Sequence, residues 1–246
     1  MKAVVLAAGV ARRLAPISDH THKCLLPVGG RSLLDRMLDA LARSGIEETA
    51  IVVGHFQDQV RRAGGRARGA MRIRYLENPE FDRGSILSLW TARDLLRRDT
   101  TLVMDADVLF PDAFLARLIA APAPSALLLD QRFSDTGEEV KLYAVGPRVV
   151  ALGKKIVPEG WEVVGEGVGF FKCDAAHGAH YVRRMAESIE ETDGDNEYED
   201  ALNQLVADVP VGWVDVSGLP WTEVDFAEDW RWAAVDVLPR IERLGP

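Results

Sequence analysis

Apolar and polar positions in the first half of the chain follow two alternating patterns. Short runs of β-branched residues, such as residues 2–6, have the continuous apolar character of fully buried strands. Between such runs, residues 32–44 carry apolar side chains at helical spacing, and Gly45 ends that segment. Strands that alternate with amphipathic helices are typical of βαβ units, so the pattern predicts an α/β fold with a mostly parallel sheet.

The same patterns predict the remaining elements. In the first half we expect strands at residues 49–53, 72–76 and 101–104, and helices at residues 56–63, 86–96 and 111–119. In the second half we expect strands at residues 127–130, 140–145, 149–152, 163–171 and 211–216, and helices at residues 175–190, 198–206 and 226–241. The strand-rich second half predicts a mixed or antiparallel addition to the sheet, within one continuous domain of two lobes.

Composition narrows the classes of partner. The formal net charge is -9, so a nucleic-acid partner, which needs a basic stripe, is not expected. Two cysteines, Cys24 and Cys173, are too few for a disulfide framework, and we expect both to be small core residues. No apolar stretch approaches the roughly 18 residues of a spanning helix, and no cleavable signal pattern follows Met1. We therefore expect a cytoplasmic protein with no membrane partner.

A long loop, instead of a helix, follows the first predicted strand. Small residues at its start allow a ligand close to the backbone, whose amides can meet phosphate oxygens. Arg13 and Lys23 then supply two cations suited to a triphosphate. Taken alone, the small residues also fit an ordinary surface loop. The candidate nucleotide-binding residues here are Leu6, Ala7, Ala8 and Gly9, and the candidate catalytic residues are Arg13 and Lys23.

This segment resembles the nucleotidyltransferase family of sugar-phosphate and phospho-alcohol nucleotidylyltransferases. Their signature is an opening strand, then L-A-A-G-x-G-x-R-L, then a proline-lysine before L-x-P-V-x-G. Here Ala11 stands in place of the second glycine and His22 in place of the proline. Alanine at this position costs little if its φ is negative, but it strains the backbone if its φ is positive.

The resemblance implies a GT-A-like nucleotidyltransferase fold with a Rossmann-like central sheet flanked by helices. It divides residues 1–246 into a nucleotide-binding lobe at residues 1–130, a mixed-strand acceptor lobe at residues 131–225 and a C-terminal helix at residues 226–246. Its closing motif, W-x-E-V-D, matches residues 221–225.

Two carboxylates follow a buried strand at residues 102–104. An acid at the carboxyl end of a parallel strand faces the crevice where α/β sheets bind ligands, and Mg²⁺ prefers oxygen ligands. Asp107 is therefore predicted to hold Mg²⁺, and the resemblance supplies Asp225 as the second ligand. Asp105 is predicted to belong to the nucleotide site and to support these two ligands without binding the ion itself. A strand-end turn at Asp107, and a helix N-cap at Asp225, remain alternatives.

The base and acceptor contacts are predicted more loosely. Gly84 and Ser85 open a helix where the resembling families contact the base, although Ser85 also fits a plain N-cap. Carboxylates near Tyr198, with Trp90, Trp161 and Trp221, offer the equipment for an aromatic cage around an amine or quaternary ammonium. The predicted acceptor-binding residues are Lys141, Glu166, Tyr198 and Trp221.

The resemblance is closest to the phosphocholine, inositol-1-phosphate and aminoalkylphosphonate cytidylyltransferases. It therefore implies an enzyme that transfers CMP from CTP, with Mg²⁺, to a small phosphorylated or phosphonylated acceptor and releases pyrophosphate. One alternative is a sugar-1-phosphate nucleotidylyltransferase that uses UTP or GTP. The others are a GT-A glycosyltransferase, since D-x-D at residues 105–107 also fits that class, and a non-catalytic nucleotide-binding regulator.

Overall fold

The computed structural model describes residues 1–245. Its strands are β1 (Lys2–Ala7), β2 (Pro27–Val28), β3 (Arg31–Ser32), β4 (Glu48–Val53), β5 (Ala67–Arg68), β6 (Met71–Glu77), β7 (Thr101–Asp105), β8 (Val108–Leu109), β9 (Ala126–Asp130), β10 (Lys141–Val145), β11 (Arg148–Gly153), β12 (Val163–Cys173), β13 (Gly212–Asp215) and β14 (Thr222–Glu223). Its helices are α1 (Leu33–Arg43), α2 (Gln57–Gly64), α3 (Ser85–Thr91), α4 (Arg93–Arg98), α5 (Ala113–Ile119), α6 (Ala175–Thr192), α7 (Tyr198–Asp208), α8 (Ala227–Trp232) and α9 (Leu238–Leu244).

Two helices that the periodicity predicts as continuous are divided in the structure. The helix expected at residues 86–96 is interrupted at Ala92, whose φ of -96° and ψ of 6° separate α3 from α4. The terminal helix passes through a π turn at Ala233–Val237 before α9. Pro239 has no N–H to bond the carbonyl four residues earlier, so the backbone cannot continue there as a regular helix. The other predicted elements end within about two residues of the observed bounds.

The ten strands of the central sheet run in the order β10-β11-β13-β9-β12-β7-β1-β4-β6-β5. β7, β1, β4 and β6 are parallel, as predicted, whereas β12 is antiparallel to both β7 and β9. The mixed addition expected from the second half is also present, so the sheet as a whole is mixed and only its β7-β1-β4-β6 part is parallel. The first half of β12 pairs with β10 and its second half reaches β7, which partly closes the sheet.

The sheet is covered on both faces, because alternate side chains of its central strands point to opposite sides. Val5 and its neighbours on one face pack with α1 and α5, and Val4 on the other face packs with α3, α6 and α7. Both cysteines are buried in these layers, as expected. Among residues 1–245, no helix is long and apolar enough to cross a membrane.

A third apolar cluster joins the loop after β1 to the C-terminal helices. Leu14, Leu26 and Val28 from the loop pack against Val224, Val237 and Leu238. This packing fixes the segment that contains Asp225 beside the segment that contains Arg13.

Candidate active site

Buried side chains hold the loop after β1 in place, so that its two cations face the cleft. Leu14 and Cys24 are buried, and each lies in a short 3-10 turn, at Arg12–Leu14 and Lys23–Leu25. Arg13 and Lys23 project from the same two turns. The order of the loop therefore comes from packing, although it has almost no regular secondary structure.

Ala11 has φ 54° and ψ 45°, which is the left-handed region. Its carbonyl accepts hydrogen bonds from the Ser18 hydroxyl at 3.0 Å and from the Leu14 amide at 3.1 Å. These contacts hold a conformation in which the Cβ atom of alanine is strained and glycine is not. The departure from the glycine of the family signature therefore carries a conformational cost.

His22, the other departure from the signature, caps the second 3-10 turn. Its Nδ1 accepts a hydrogen bond from the Cys24 amide at 3.2 Å, and the ring is buried. Burial, with repulsion from the neighbouring Lys23 ammonium, lowers the pKa of His22 to about 3. The ring is therefore neutral, and because Nδ1 accepts, its proton lies on Nε2.

Three carboxylates meet beyond the carboxyl end of β7. Oxygen atoms of Asp107, Glu223 and Asp225, which we call the carboxylate cluster, lie within 4.8 Å of one another. The short antiparallel pair of β8 and β14 brings them together, with Glu223 opposite Val108 and the Val224 amide donating to the Asp107 carbonyl at 3.1 Å. Glu223 was not among the predicted ligands. Its signal was present, because residues two apart on an extended segment face the same side.

Both predicted cations reach the carboxylate cluster. Lys23 Nζ contacts Asp107 Oδ2 and lies 3.0 Å from Asp225 Oδ1. Arg13 Nη2 lies 2.6 Å from Asp225 Oδ2, and its Nη1 lies 3.6 Å from Glu138 Oε2. Burial by itself lowers the pKa of Lys23, but the flanking carboxylates outweigh it and raise the pKa above its ordinary value. Lys23 is therefore charged at any physiological pH.

The carboxylate cluster has the chemistry of a divalent cation site. Asp107 Oδ1 is buried and has no hydrogen-bond partner within residues 1–245, although a buried carboxylate oxygen normally has one. Three carboxylates suit Mg²⁺, which takes oxygen ligands and retains several waters. Asp225 is not the N-cap of the terminal helix, since Phe226 occupies that place and the Asp225 side chain faces Lys23 and Arg13.

Asp105 lies behind the carboxylate cluster and is not part of it. Its Oδ2 accepts a hydrogen bond from the Tyr198 hydroxyl at 2.7 Å. Burial, with repulsion from Asp107 and Glu199, raises the pKa of Asp105 well above its ordinary value. Its predicted supporting role stays a prediction.

Gly84 and Ser85 tie the start of α3 to the start of α7. The Ser85 hydroxyl accepts from the Tyr198 amide at 3.0 Å, and the Gly84 amide donates to the Gly194 carbonyl at 3.2 Å. A side chain at residue 84 would clash with the Asn196 backbone. Ser85 therefore does not cap its own helix, and its predicted base contact stays a prediction.

The predicted acceptor residues are distributed over two concave regions. Glu166 and Tyr198 line a cavity of about 420 Å³ beside Asp105. Trp221 lines an adjoining cleft of about 810 Å³, which Glu166 also lines. The Trp221 indole donates to Asp130 Oδ2 at 2.8 Å. Lys141 pairs with Asp135 at 2.9 Å and lines neither region within residues 1–245.

The aromatic cage that the sequence suggested is not formed. Trp161 lies against Tyr143, with ring centroids 5.9 Å apart, and Trp90 lies beneath the Arg93 guanidinium. Trp221 packs near Phe114. Since none of the three tryptophans lines the cavity that Tyr198 lines, no shared aromatic box surrounds it within the described part of the chain.

Residues 3–209 match the MobA-like NTP transferase domain. The chain belongs to this family. It is 32% identical over 251 residues to a CMP-5'-(3-aminopropyl)phosphonate synthase of Streptomyces rubellomurinus, covering 99% of this chain and 40% of that protein. It is 26% identical over 227 residues to a 2-aminoethylphosphonate cytidylyltransferase of Lancefieldella rimae, covering 91% and 87% of the two chains.

The fold is also that of a solved nucleotidyltransferase structure. The structure of the inositol-1-phosphate CTP transferase from T. maritima has a TM-score of 0.80 and 20% identity, covering 98% of this chain and 96% of that one. The family resemblance and the α/β nucleotidyltransferase fold are thus confirmed. The chain spans less than half the length of the Streptomyces relative.

Proposed function

We propose that the protein transfers CMP from CTP to a small acceptor bearing a phosphate or phosphonate group and releases pyrophosphate. The observation that carries the proposal is the convergence of Arg13 and Lys23 on Asp107 and Asp225 at the carboxyl end of the parallel strands. That edge is where open α/β sheets bind ligands. The relatives named above act on aminoalkylphosphonates, which supports this acceptor class.

In this proposal Asp107, Glu223 and Asp225 hold Mg²⁺. When bound, the ion neutralises phosphate oxygens and helps to fix their orientation. The unpartnered Asp107 Oδ1 is the atom that most clearly needs such a partner.

Arg13 and Lys23 have a different task from the metal ligands. In the structure they neutralise the same carboxylates that would hold the cation. Substrate binding therefore exchanges partners, so that both side chains turn part of their charge toward the triphosphate. Preorganised cations of this kind stabilise charge that develops in the transition state.

The nucleotide loop has space for the ligand at its tip. Ala7 and Ala8 are buried, and the Ala8 carbonyl accepts from the His55 amide at 2.9 Å, so this end of the loop is fixed. Gly9 is exposed, and no atom lies within 4 Å of where its Cβ would be. A triphosphate can approach the backbone there as closely as glycine allows.

The chemical step needs no nucleophile from the protein. An ionised oxygen of the acceptor attacks the α-phosphorus and forms the new P–O bond, while the bond from that phosphorus to the bridging oxygen breaks and pyrophosphate leaves. The acceptor is already an anion at neutral pH, so no strong general base is required. Arg13 and Lys23 align the triphosphate and offset its charge.

Pyrophosphate release tests the proposal. Purified protein with Mg²⁺ would be given CTP, UTP or GTP in turn, with phosphocholine, 2-aminoethylphosphonate, inositol-1-phosphate or a sugar-1-phosphate. Release with CTP and a phosphoalcohol or phosphonate supports the proposal. Release only with a sugar-1-phosphate, or nucleotide binding without release, contradicts it and identifies a sugar-activating enzyme or a regulator.

A further inference from the structure

The 420 Å³ cavity beside Asp105 is lined by two chemically distinct kinds of side chain. Leu142, Leu152 and Phe171 contribute apolar surface. Carboxylates, chiefly Glu166 and Glu199, contribute acidic surface. We call this region the acidic cavity. It adjoins the carboxylate cluster, because Glu223 and Asp225 also line it.

Glu199 carries a buried acceptor that nothing in the described chain satisfies. Its Oε2 is shielded from water and has no hydrogen-bond partner within residues 1–245. Burial, with repulsion from Glu197 and Glu223, raises the pKa of Glu199 to about 8. Buried polar atoms normally have a partner, so an unpartnered one beside a cavity indicates a group that arrives from outside.

Glu166 faces the same space without a cation. It lies on β12 opposite Lys141 on one side and Asp130 on the other. Lys141 is already paired with Asp135, and Glu166 forms no ion pair within residues 1–245. Burial, with repulsion from Glu139 and Asp130, raises the pKa of Glu166 to about 7.

Nearby cations form no ion pair with Glu166 or Glu199 within residues 1–245, although attraction from Lys154 offsets part of the rise in the pKa of Glu199. Arg13 pairs with Asp225 and Glu138, outside the two carboxylates in question. Lys154 and Lys155 lie at the rim, are exposed, and form no ion pair in the described chain. A metal ion is not indicated either, since the possible metal ligands within residues 1–245 include neither Glu166 nor Glu199.

The remaining complement is an organic cation, and the geometry selects its type. A quaternary ammonium has no N–H to donate, and proteins usually hold it in an aromatic cage. None of the three tryptophans lines the acidic cavity within residues 1–245, and Trp221 lines the adjoining cleft instead, where its indole is paired with Asp130. A primary ammonium donates three hydrogen bonds and bears the charge that the two carboxylates lack.

We propose that the acidic cavity binds a primary ammonium group of the acceptor, with Glu199 and Glu166 accepting its hydrogen bonds. This inference rests on the proposed function, because the same acceptor must place its phosphate or phosphonate at the carboxylate cluster. The apolar lining residues Leu142, Leu152 and Phe171 then pack against the methylenes that join the ammonium to the phosphorus. Glu166 and Glu199 are therefore the specificity-determining residues.

Matched acceptors test the inference. Phosphoethanolamine and phosphocholine differ only in three methyl groups, and 2-aminoethylphosphonate and ethylphosphonate differ only in the amine. We expect kcat/KM with CTP to favour the primary amine by at least about tenfold in both pairs, as charge-assisted hydrogen bonds of ordinary strength require. Equal or reversed preferences, with turnover present, overturn the inference and leave the proposed function intact.

Variants locate the preference in the structure. Glu199→Gln and Glu166→Gln keep the shape of each side chain and remove its charge. We expect each to lower kcat/KM for 2-aminoethylphosphonate by about tenfold while changing ethylphosphonate little. Glu190→Gln, an exposed carboxylate on α6, should alter neither. If both cavity variants fold, bind CTP normally and keep the preference of the wild type, the inference is wrong.

Calorimetric binding separates this inference from catalysis. Titration of 2-aminoethylphosphonate and of ethylphosphonate into the protein with Mg²⁺ requires no turnover. Tighter binding of the amine that is lost in Glu199→Gln supports the inference even if no pyrophosphate is released. Equal binding of the two ligands overturns it.

Discussion

Lys23 and Arg13 pair with Asp107 and Asp225 at the end of the parallel half of the sheet. In contrast, Glu166 in the antiparallel half and Glu199 on α7 beside it form no ion pair within residues 1–245. Both regions concentrate carboxylates beside the same cleft. A buried charge is costly unless it is paired, so the two halves meet that cost differently. The carboxylate cluster is neutralised by cations of the protein itself. The carboxyl groups of Glu166 and Glu199 have raised pKa values and therefore hold their protons more tightly until a ligand supplies a cation.

This difference indicates how each region meets its substrate. Under the proposed function, a triphosphate at the parallel half would take over cations that are already engaged. Under the further inference, an acceptor at the antiparallel half would bring the missing cation with it. The predictions below are designed to break or refine this division, in order of decreasing effect.

Removal of a cation from the parallel half should have the largest effect. Lys23→Ala leaves two adjacent carboxylates without their ammonium and takes a charge from the triphosphate, so we expect CMP transfer to slow by about 10²–10³-fold. Steady-state pyrophosphate release measures this loss. Arg12→Ala is the matched control, because Arg12 is an exposed cation in the other 3-10 turn of the same loop and has no ion pair in residues 1–245. Near-normal turnover in Lys23→Ala would remove the basis for its proposed role.

Glu223→Gln tests whether the carboxylate cluster has three working ligands or two. If Glu223 helps to hold Mg²⁺, we expect the concentration of Mg²⁺ for half-maximal activity to rise by about tenfold, with activity recovered at high Mg²⁺. A titration of activity against Mg²⁺ measures the shift. Glu228→Gln, an exposed acid on α8, serves as the control. An unchanged Mg²⁺ requirement would leave Asp107 and Asp225 as the ligands.

The acidic cavity should make amine binding depend on pH. The pKa of Glu166 is about 7, raised by burial and by repulsion from Glu139 and Asp130, and that of Glu199 is about 8. Both are acids, so lowering the pH neutralises them and weakens their attraction for an ammonium. From pH 9 to pH 6 we expect KM for 2-aminoethylphosphonate to rise about tenfold relative to ethylphosphonate.

The ammonium of 2-aminoethylphosphonate lowers the second pKa of its phosphonate relative to that of ethylphosphonate, so the ratio of KM values is taken per dianion of each acceptor at each pH. In Glu166→Gln the dependence should become shallower, because one of the two titrating carboxylates is gone. A ratio that stays constant across this pH range would show that neither carboxylate contacts the amine.

The smallest predicted effect concerns stability alone. Ala11→Gly removes the Cβ strain at φ 54°, so we expect the free energy of unfolding to rise by about 0.5–1 kcal/mol despite the added freedom of glycine in the unfolded chain. Thermal or denaturant unfolding measures it. Ala120→Gly should instead lower the free energy of unfolding, because Ala120 has φ -77° and no strain to relieve. Glycine there only adds conformational freedom to the unfolded chain. A loss of stability in both variants would contradict the strain at Ala11.

Much of this architecture could be predicted because it follows from local pattern. The apolar run at residues 2–6 and the helical spacing at residues 32–44 predict β1 and α1 nearly to the residue. Charged residues in a motif can also be placed, and the structure does bring Arg13 and Lys23 to Asp107 and Asp225. Their roles in binding and catalysis remain predictions.

What could not be predicted depends on contacts between distant segments. The strand-rich second half predicts a mixed addition, but nothing within residues 163–173 shows that β12 pairs with both β7 and β10 and partly closes the sheet. The tryptophan cage failed for a related reason: aromatic residues scattered in sequence need a particular tertiary arrangement to meet. Glu223 was different, because its alternation with Asp225 was visible and only its pairing with β8 was not.

The pairing of β14 with β8 also has a consequence for biosynthesis. Every strand of the central sheet precedes residue 216, but two of the three cluster carboxylates follow residue 221. The sheet is therefore complete in sequence before the segment that carries Glu223 and Asp225 is synthesised. Docking of the last helices against Leu14 and Val28 then brings both carboxylates to Asp107, so a chain that ends before residue 221 would keep every strand of the sheet and lack two of the three cluster carboxylates.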